Sequence, residues 1–195
     1  MEAYTILRSE LDDDSPDDSE RDRMTRSCGA ADRGVKIERV NRANMKDFLV
    51  LIEGLARYEK AVPPDDKAKR RLEIDALSKN PPYHAFVVYL GGRPVGYIIH
   101  YYTYSTYDGR RIFFLEDLFV VDDARKKGVG KEMFNFCLEE AKREGCCELQ
   151  WAVLSWNEDA IGFYERMGGR RQDLHIYSID EKDFGESQQN SAKPS

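Results

Sequence analysis

Cysteine and histidine are scarce in this chain, four of one and three of the other among 195 residues. Cys28, Cys137, Cys146 and Cys147 form no C-x-x-C pair, and adjacent Cys146 and Cys147 would leave a strand on opposite sides, a poor disulfide geometry. His84, His100 and His175 have no ligand spacing. These shortages argue against a zinc module or a disulfide framework; they predict no metal, reduced thiols and a cytoplasmic location. No apolar run is long enough to span a bilayer, and the N-terminus lacks the basic head and apolar stretch of a signal peptide. Most of the chain also lacks an excess of either charge. The net charge is −6, but residues 1–34 hold ten acids and five bases, so the remainder is nearly neutral and has no overall pull toward nucleic acid.

That acidic leader is polar, rich in Ser and Asp, and without apolar periodicity. It cannot bury enough surface to offset its ordering entropy, so residues 1–34 are expected to be disordered, with Met24 an alternative start. One domain follows over residues 35–182, then a polar tail at 183–195. The alternation in "VKIERV" (35–40) predicts a strand, and "NMKDFLVLIEGLARYEK" has helical spacing behind the N-cap candidate Asn44. A charged helix is expected over residues 65–78. Strands at 83–90 and 94–104 meet at Gly91–Gly92, a hairpin signal, and a third runs over 111–121. A helix over 128–143, a strand over 146–154, a helix over 157–168 and a last strand over 173–180 complete an α/β pattern with helices on the faces of a sheet.

Between the third strand of that meander and its helix stands "LEDLFVVDDARKKGVGKEMF". Glycines let a backbone turn tightly and approach a ligand, and a helix start leaves unpartnered N–H groups with partial positive charge. Together they form a socket for an anion, most often a phosphate. A Walker loop is excluded because Gly130–Lys131 is followed by Glu132, and a dinucleotide fingerprint because position 133 is Met. What remains is R-x-x-G-x-G at Arg125, Gly128 and Gly130. Upstream, Glu116 and Asp117 interrupt an apolar strand, where carboxylates are costly without a task. Downstream, "WNEDAIGFYERMG" brings Asn157 at a cap position and Tyr164 on a helix.

In "LARYEK", "YYTY", "LEDLFV", "RKKGVG", "WNEDAIGFYERMG" and "YSID" the chain resembles the GNAT superfamily of acetyl-CoA-dependent N-acetyltransferases, and within it the spermidine/spermine (diamine) acetyltransferases. The resemblance implies a mixed, mostly antiparallel sheet of six to seven strands, splayed at the acetyl-CoA site, with about four helices. It implies pantetheine along the backbone of Leu118, Phe119 and Val120. The diphosphate would sit on Arg125, Lys126, Lys127, Gly128, Val129, Gly130 and Lys131, with Asn157, Glu158, Asp159 and Ala160 on the other side. Glu116 is then the expected proton acceptor, its basicity raised by burial, and Tyr164 the proton donor to the departing thiolate. Tyr58, Glu59, Asp117, Gln150, Trp151 and Ala152 are expected to contact the amine, and a homodimer is implied.

The expected reaction is acetylation of a primary amine of a small polyamine or diamine. Departures from the polyamine pattern keep another reading open. The turn "TYSTYDG" has Ser105 and Tyr107 where those enzymes carry Asp and Trp, and Arg170 and Arg171 stand where an acidic stretch is expected. A groove with fewer acids favours a shorter amine, so a lysine-like amino acid of the thialysine type is the alternative, together with a protein lysine or N-terminus. A non-catalytic acyl-CoA sensor ranks last, because both Glu116 and Tyr164 are present.

Overall fold

The computed structural model describes residues 34–184 and the backbone of Thr25–Arg26. The disorder expected for residues 1–34 otherwise lies outside the described residues, as does the tail from 185 onward. Thr25–Arg26 departs from that expectation, pairing as a short strand (β1) with Ile37 and Glu38. The chain divides into two compact units, Met1–Ala152 and Val153–Ser195.

In the first unit, β2 (Val35–Arg39) is followed by α1 (Met45–Tyr58) and α2 (Asp66–Ala76), then β3 (His84–Leu90), β4 (Arg93–Ser105) and β5 (Arg110–Val120). A 3₁₀ turn at Asp122–Ala124 leads to α3 (Val129–Arg143) and β6 (Glu148–Trp151). The sheet order is β1-β2-β3-β4-β5-β6, antiparallel throughout except for the parallel β5–β6 pair. The six strands match the expected mixed architecture.

Each face of the sheet takes one helix because each helix carries one apolar stripe. From α1, Phe48 and Leu51 pack with Val87, Tyr97, Ile99 and Phe119. From α3, Met133, Phe134, Cys137 and Ala141 are buried on the other face, where Phe136 meets Phe86 edge-on. Each fully buried side chain of this size contributes about 1.5–3 kcal/mol. Gly96 is needed where β4 crosses this layer, since a Cβ there would lie 2.4 Å from the carbonyl oxygen of Phe119. α2 is different: none of its residues is buried, and Asp65 caps it by accepting from the N–H of Ala68.

Register changes once between β4 and β5. His100 pairs with Leu115 and Ile99 with Asp117, so Glu116 has no opposite number. This bulge reverses the alternation of β5. Before it, Phe113 faces the α3 side and stacks on His100; after it, Asp117 and Phe119 face the α1 side with Tyr97.

In the second unit, α4 spans Glu158–Arg166 and a 3₁₀ turn spans Glu181–Asp183. The strand expected over 173–180 does not form. Leu174, Ile176, Tyr177 and Ile179 are exposed there, and the segment has no ladder partner among the described residues. Alternating side chains supply a strand with a face, but only a neighbouring strand satisfies its backbone.

Candidate active site

The bulge gathers the acids. Had β5 kept its alternation, Asp117 would have followed Phe113 and Leu115 toward α3; instead Glu116 and Asp117 both serve the α1 side. Tyr97, fully buried, donates from its hydroxyl to Oδ2 of Asp117 at 3.0 Å. Burial pushes the Asp117 carboxyl up to about 6; the Tyr97 hydrogen bond opposes this, while the negative charges of Glu116 and Glu59 add to it. Glu59, at the C-terminal end of α1, is also raised by burial. Tyr101 on β4 is raised by burial and then by the charge and hydrogen bond of Glu116. Glu116 itself is exposed, so the burial expected to raise its basicity is found at Asp117 instead.

Beyond the bulge the strand edge is open. β6 pairs with β5 only over Ile112–Leu115, and among the described residues no strand follows on that side of Glu116–Val120. The expected splay thus begins where the acids stand, and Leu118, Phe119 and Val120 line the open edge. A cleft beside it is lined by Gly54, Arg57, Tyr58, Phe119 and Asp122.

At the end of β5 the chain enters α3 through two left-handed residues, Lys126 (φ 61°) and Gly128 (φ 88°). Gly128 is the N-cap and provides no side-chain acceptor, so the first-turn amides of Val129, Gly130 and Lys131 point outward uncapped. With Lys126, Lys127 and Lys131 around them, these groups fit a diphosphate such as that of coenzyme A. Arg125 is tied into the loop itself. Its Nε donates to the carbonyl of Val120 at 2.9 Å, Nη1 pairs with Asp122 at 3.0 Å, and the guanidinium lies 4.3 Å from the Tyr58 ring centroid. Arg125 and Tyr58 therefore brace the loop against α1.

Other expected contacts are placed as follows. Gln150 donates to Glu148 at 2.9 Å, Trp151 meets Phe134 of α3 edge-on at 5.4 Å, and Ala152 is exposed. The Trp151 ring thus turns into the α3 layer, away from the carboxylate side of the sheet. On α4, the Asn157 side chain accepts from the N–H of Ala160 at 3.2 Å, with Glu158 and Asp159 in the first turn and Tyr164 beside Phe163. In the β4–β5 turn, Ser105 donates to Asp108 at 2.6 Å and accepts from the Asp108 amide, which ties down the displaced acid. Sequence reasoning missed Tyr97, because its partner is set by strand register rather than by any spacing along the chain. Among the described residues no cluster of His, Cys, Asp and Glu could hold a metal, and no helix is long and apolar enough to cross a membrane.

Comparison with known proteins supplies the context for this geometry. The model of the acetyltransferase (GNAT) family matches residues 49–169. A thialysine N-epsilon-acetyltransferase of Bos taurus is 34% identical over 148 residues, covering 72% of this chain and 85% of the relative. The human spermidine/spermine N(1)-acetyltransferase-like protein 1 is 24% identical over 140 residues, covering 68% of this chain and 20% of that protein. Among solved structures, the aminoglycoside N-acetyltransferase AAC(6')-Iy in complex with CoA superposes with a TM-score of 0.63 at 19% identity, over 75% of this chain and 95% of the other.

Proposed function

The chain belongs to the acetyltransferase (GNAT) family and is an acyltransferase, and from that premise we propose that it moves an acetyl group from acetyl-CoA to the side-chain amine of a lysine-like amino acid of the thialysine type. The observation that carries this reading is the compact acid group of Glu59, Glu116 and Asp117. It suits one ammonium at the reacting end better than several charges spread along a polycation. The tethered Asp108 supports the same choice, and so does the sequence, which carries the basic pair Arg170–Arg171 where the polyamine pattern is acidic. The likeness to a thialysine acetyltransferase supports it independently.

Acetyl-CoA supplies an activated acyl group on a thioester. The uncapped amides of Val129, Gly130 and Lys131, with Lys126 and Lys127, hold its diphosphate, and the open backbone edge of Leu118–Val120 holds its pantetheine arm. An amine titrating near 10 arrives as ammonium, so Glu116 and Asp117 receive its charge and its proton. Tyr164 gives a proton to the departing thiolate. Among the described residues Cys137, Cys146 and Cys147 form no disulfide, which suits the reducing cytoplasm we assign to the enzyme. A homodimer belongs to the same reading, and light scattering tests it.

The test of substrate is thiol release from acetyl-CoA with thialysine, lysine, ornithine, putrescine, spermidine and a histone peptide. We expect kcat/KM for the lysine-like amines to exceed that for spermidine by about tenfold or more. Preference for spermidine or for the peptide would overturn the assignment.

A further inference from the structure

Two carboxylates stand side by side at the bulge, and the structure treats them differently. Glu116 is exposed and faces the Tyr101 hydroxyl. Asp117 is turned inward, and Tyr97 fixes it by occupying Oδ2. Its other oxygen, Oδ1, has no hydrogen-bond partner among the described residues. The Tyr97 phenol has no alternative role, since its ring is wholly buried between Phe48 (5.7 Å, edge-on) and Phe119 (6.0 Å). A buried hydroxyl directed at one carboxylate oxygen locks the side-chain rotamer and leaves the second oxygen for an incoming donor.

The geometry points to Asp117 as the group that takes the proton of the acceptor ammonium, with Tyr97 as its positioning residue and Glu116 as the outer charge that draws the ammonium in. This inference rests on the amine-acetylation reading for the identity of its proton donor. In the step, one N–H bond of the ammonium breaks heterolytically and the proton passes to Oδ1 of Asp117. The electron pair stays on nitrogen, which becomes the nucleophile. The resulting carboxylic acid returns its proton to solvent after turnover.

The charged groups around Asp117 make the proposal testable by sign. Tyr97 on β4 favours the ionised carboxylate, whereas Glu116 on β5 and Glu59 at the end of α1 disfavour it. Removing Tyr97's hydroxyl and removing Glu116's charge must therefore shift Asp117 in opposite directions.

The experiment combines two readouts on the full chain. The first is a carboxyl-carbon NMR titration of the free protein, with Asp117 assigned by its loss in Asp117→Asn. The second is the acidic limb of kcat/KM against pH, measured with acetyl-CoA and the best amine of the panel. We expect Asp117 to titrate near 6 in the wild type, about one pH unit higher in Tyr97→Phe and lower in Glu116→Gln, with the kinetic limb following in each case. Asp117→Asn should abolish that limb and slow turnover by about a hundredfold. Circular dichroism checks that each variant is folded, and Glu59→Gln provides a second downward shift without touching the bulge. A carboxyl titration that ignores Tyr97→Phe would overturn the positioning role. A kinetic limb that survives Asp117→Asn but vanishes in Glu116→Gln would overturn Asp117 as the proton acceptor. Failure of every amine to accept acetyl, with the NMR shifts intact, would overturn the amine reading and the base role with it while leaving the Tyr97–Asp117 pair in place.

Discussion

His100, buried, and Asp117, half-buried, are titratable groups on neighbouring strands, and they face opposite sides of the sheet. On the α3 side, His100 is stacked on Phe113 at 4.1 Å and lies near Phe86 and His84, and neither of its ring nitrogens has a hydrogen-bond partner among the described residues. Burial holds it down to about 2, with smaller contributions from His84, Arg39 and Arg143. On the α1 side, Asp117 has a dedicated donor and stands on the stretch of β5 that β6 leaves uncovered. The first is an imidazole used as a flat aromatic filler; the second is a carboxylate kept ready for a proton. Burial alone does not mark a working group. Its partner and its access do.

The two groups also pull stability in opposite directions. The folded value of His100 lies below its ordinary 6.5, so the unfolded chain binds a proton that the folded one refuses. Its contribution is full above about pH 6.5 and is lost as pH falls. Asp117 lies above its ordinary 3.8, so its contribution is full below about pH 4 and is lost as pH rises through about 6.

The largest expected effect isolates the first of these. In urea unfolding, the stability of His100→Phe relative to wild type should improve by roughly 3 kcal/mol between pH 7 and pH 4.5. A difference that does not change with pH would mean that His100 is not the acid-labile group. Asp117→Asn should move the other way, losing about 2 kcal/mol relative to wild type over the same interval. Gly96→Ala sits between the two faces and should cost about 2 kcal/mol at either pH, because its Cβ would displace the Phe119 carbonyl. An unchanged melting temperature would show that β4 and β5 part easily there. Lys127→Glu should leave both faces untouched and weaken coenzyme A about tenfold by calorimetry, a purely surface effect. Equal affinity would remove Lys127 from the anion site.

Much of this arrangement was legible along the chain. The hairpin at Gly91–Gly92, the α1 stripe through Phe48 and Leu51, and the glycine entry to α3 each depend on neighbours within a few residues. Such local signals survive without knowledge of the partner. Glu116 and Asp117 were visible as acids in an apolar strand, but which of them turns inward was not. That depends on one unmatched residue in the β4–β5 ladder, and ladders join positions far apart in sequence. Tyr97, twenty residues before Asp117, was hidden for the same reason. Arg125 was legible as one of the basic residues of the glycine turn, but the carbonyl of Val120 and the carboxylate of Asp122 that it holds follow from turn geometry, which the sequence does not spell out. The segment at 173–180 failed in the opposite sense, since its pattern was clear and its pairing absent.

Because Glu116 is supernumerary in its strand, the site depends on a count of residues as well as on their identity. Pairing that residue into the ladder opposite Ile99 would restore simple parity, swinging the aspartate toward the helix that covers His100 and sending Phe119 out of the layer it now fills. Composition would not change at all, every side chain would still be encoded, and the tyrosine would be left aiming at nothing.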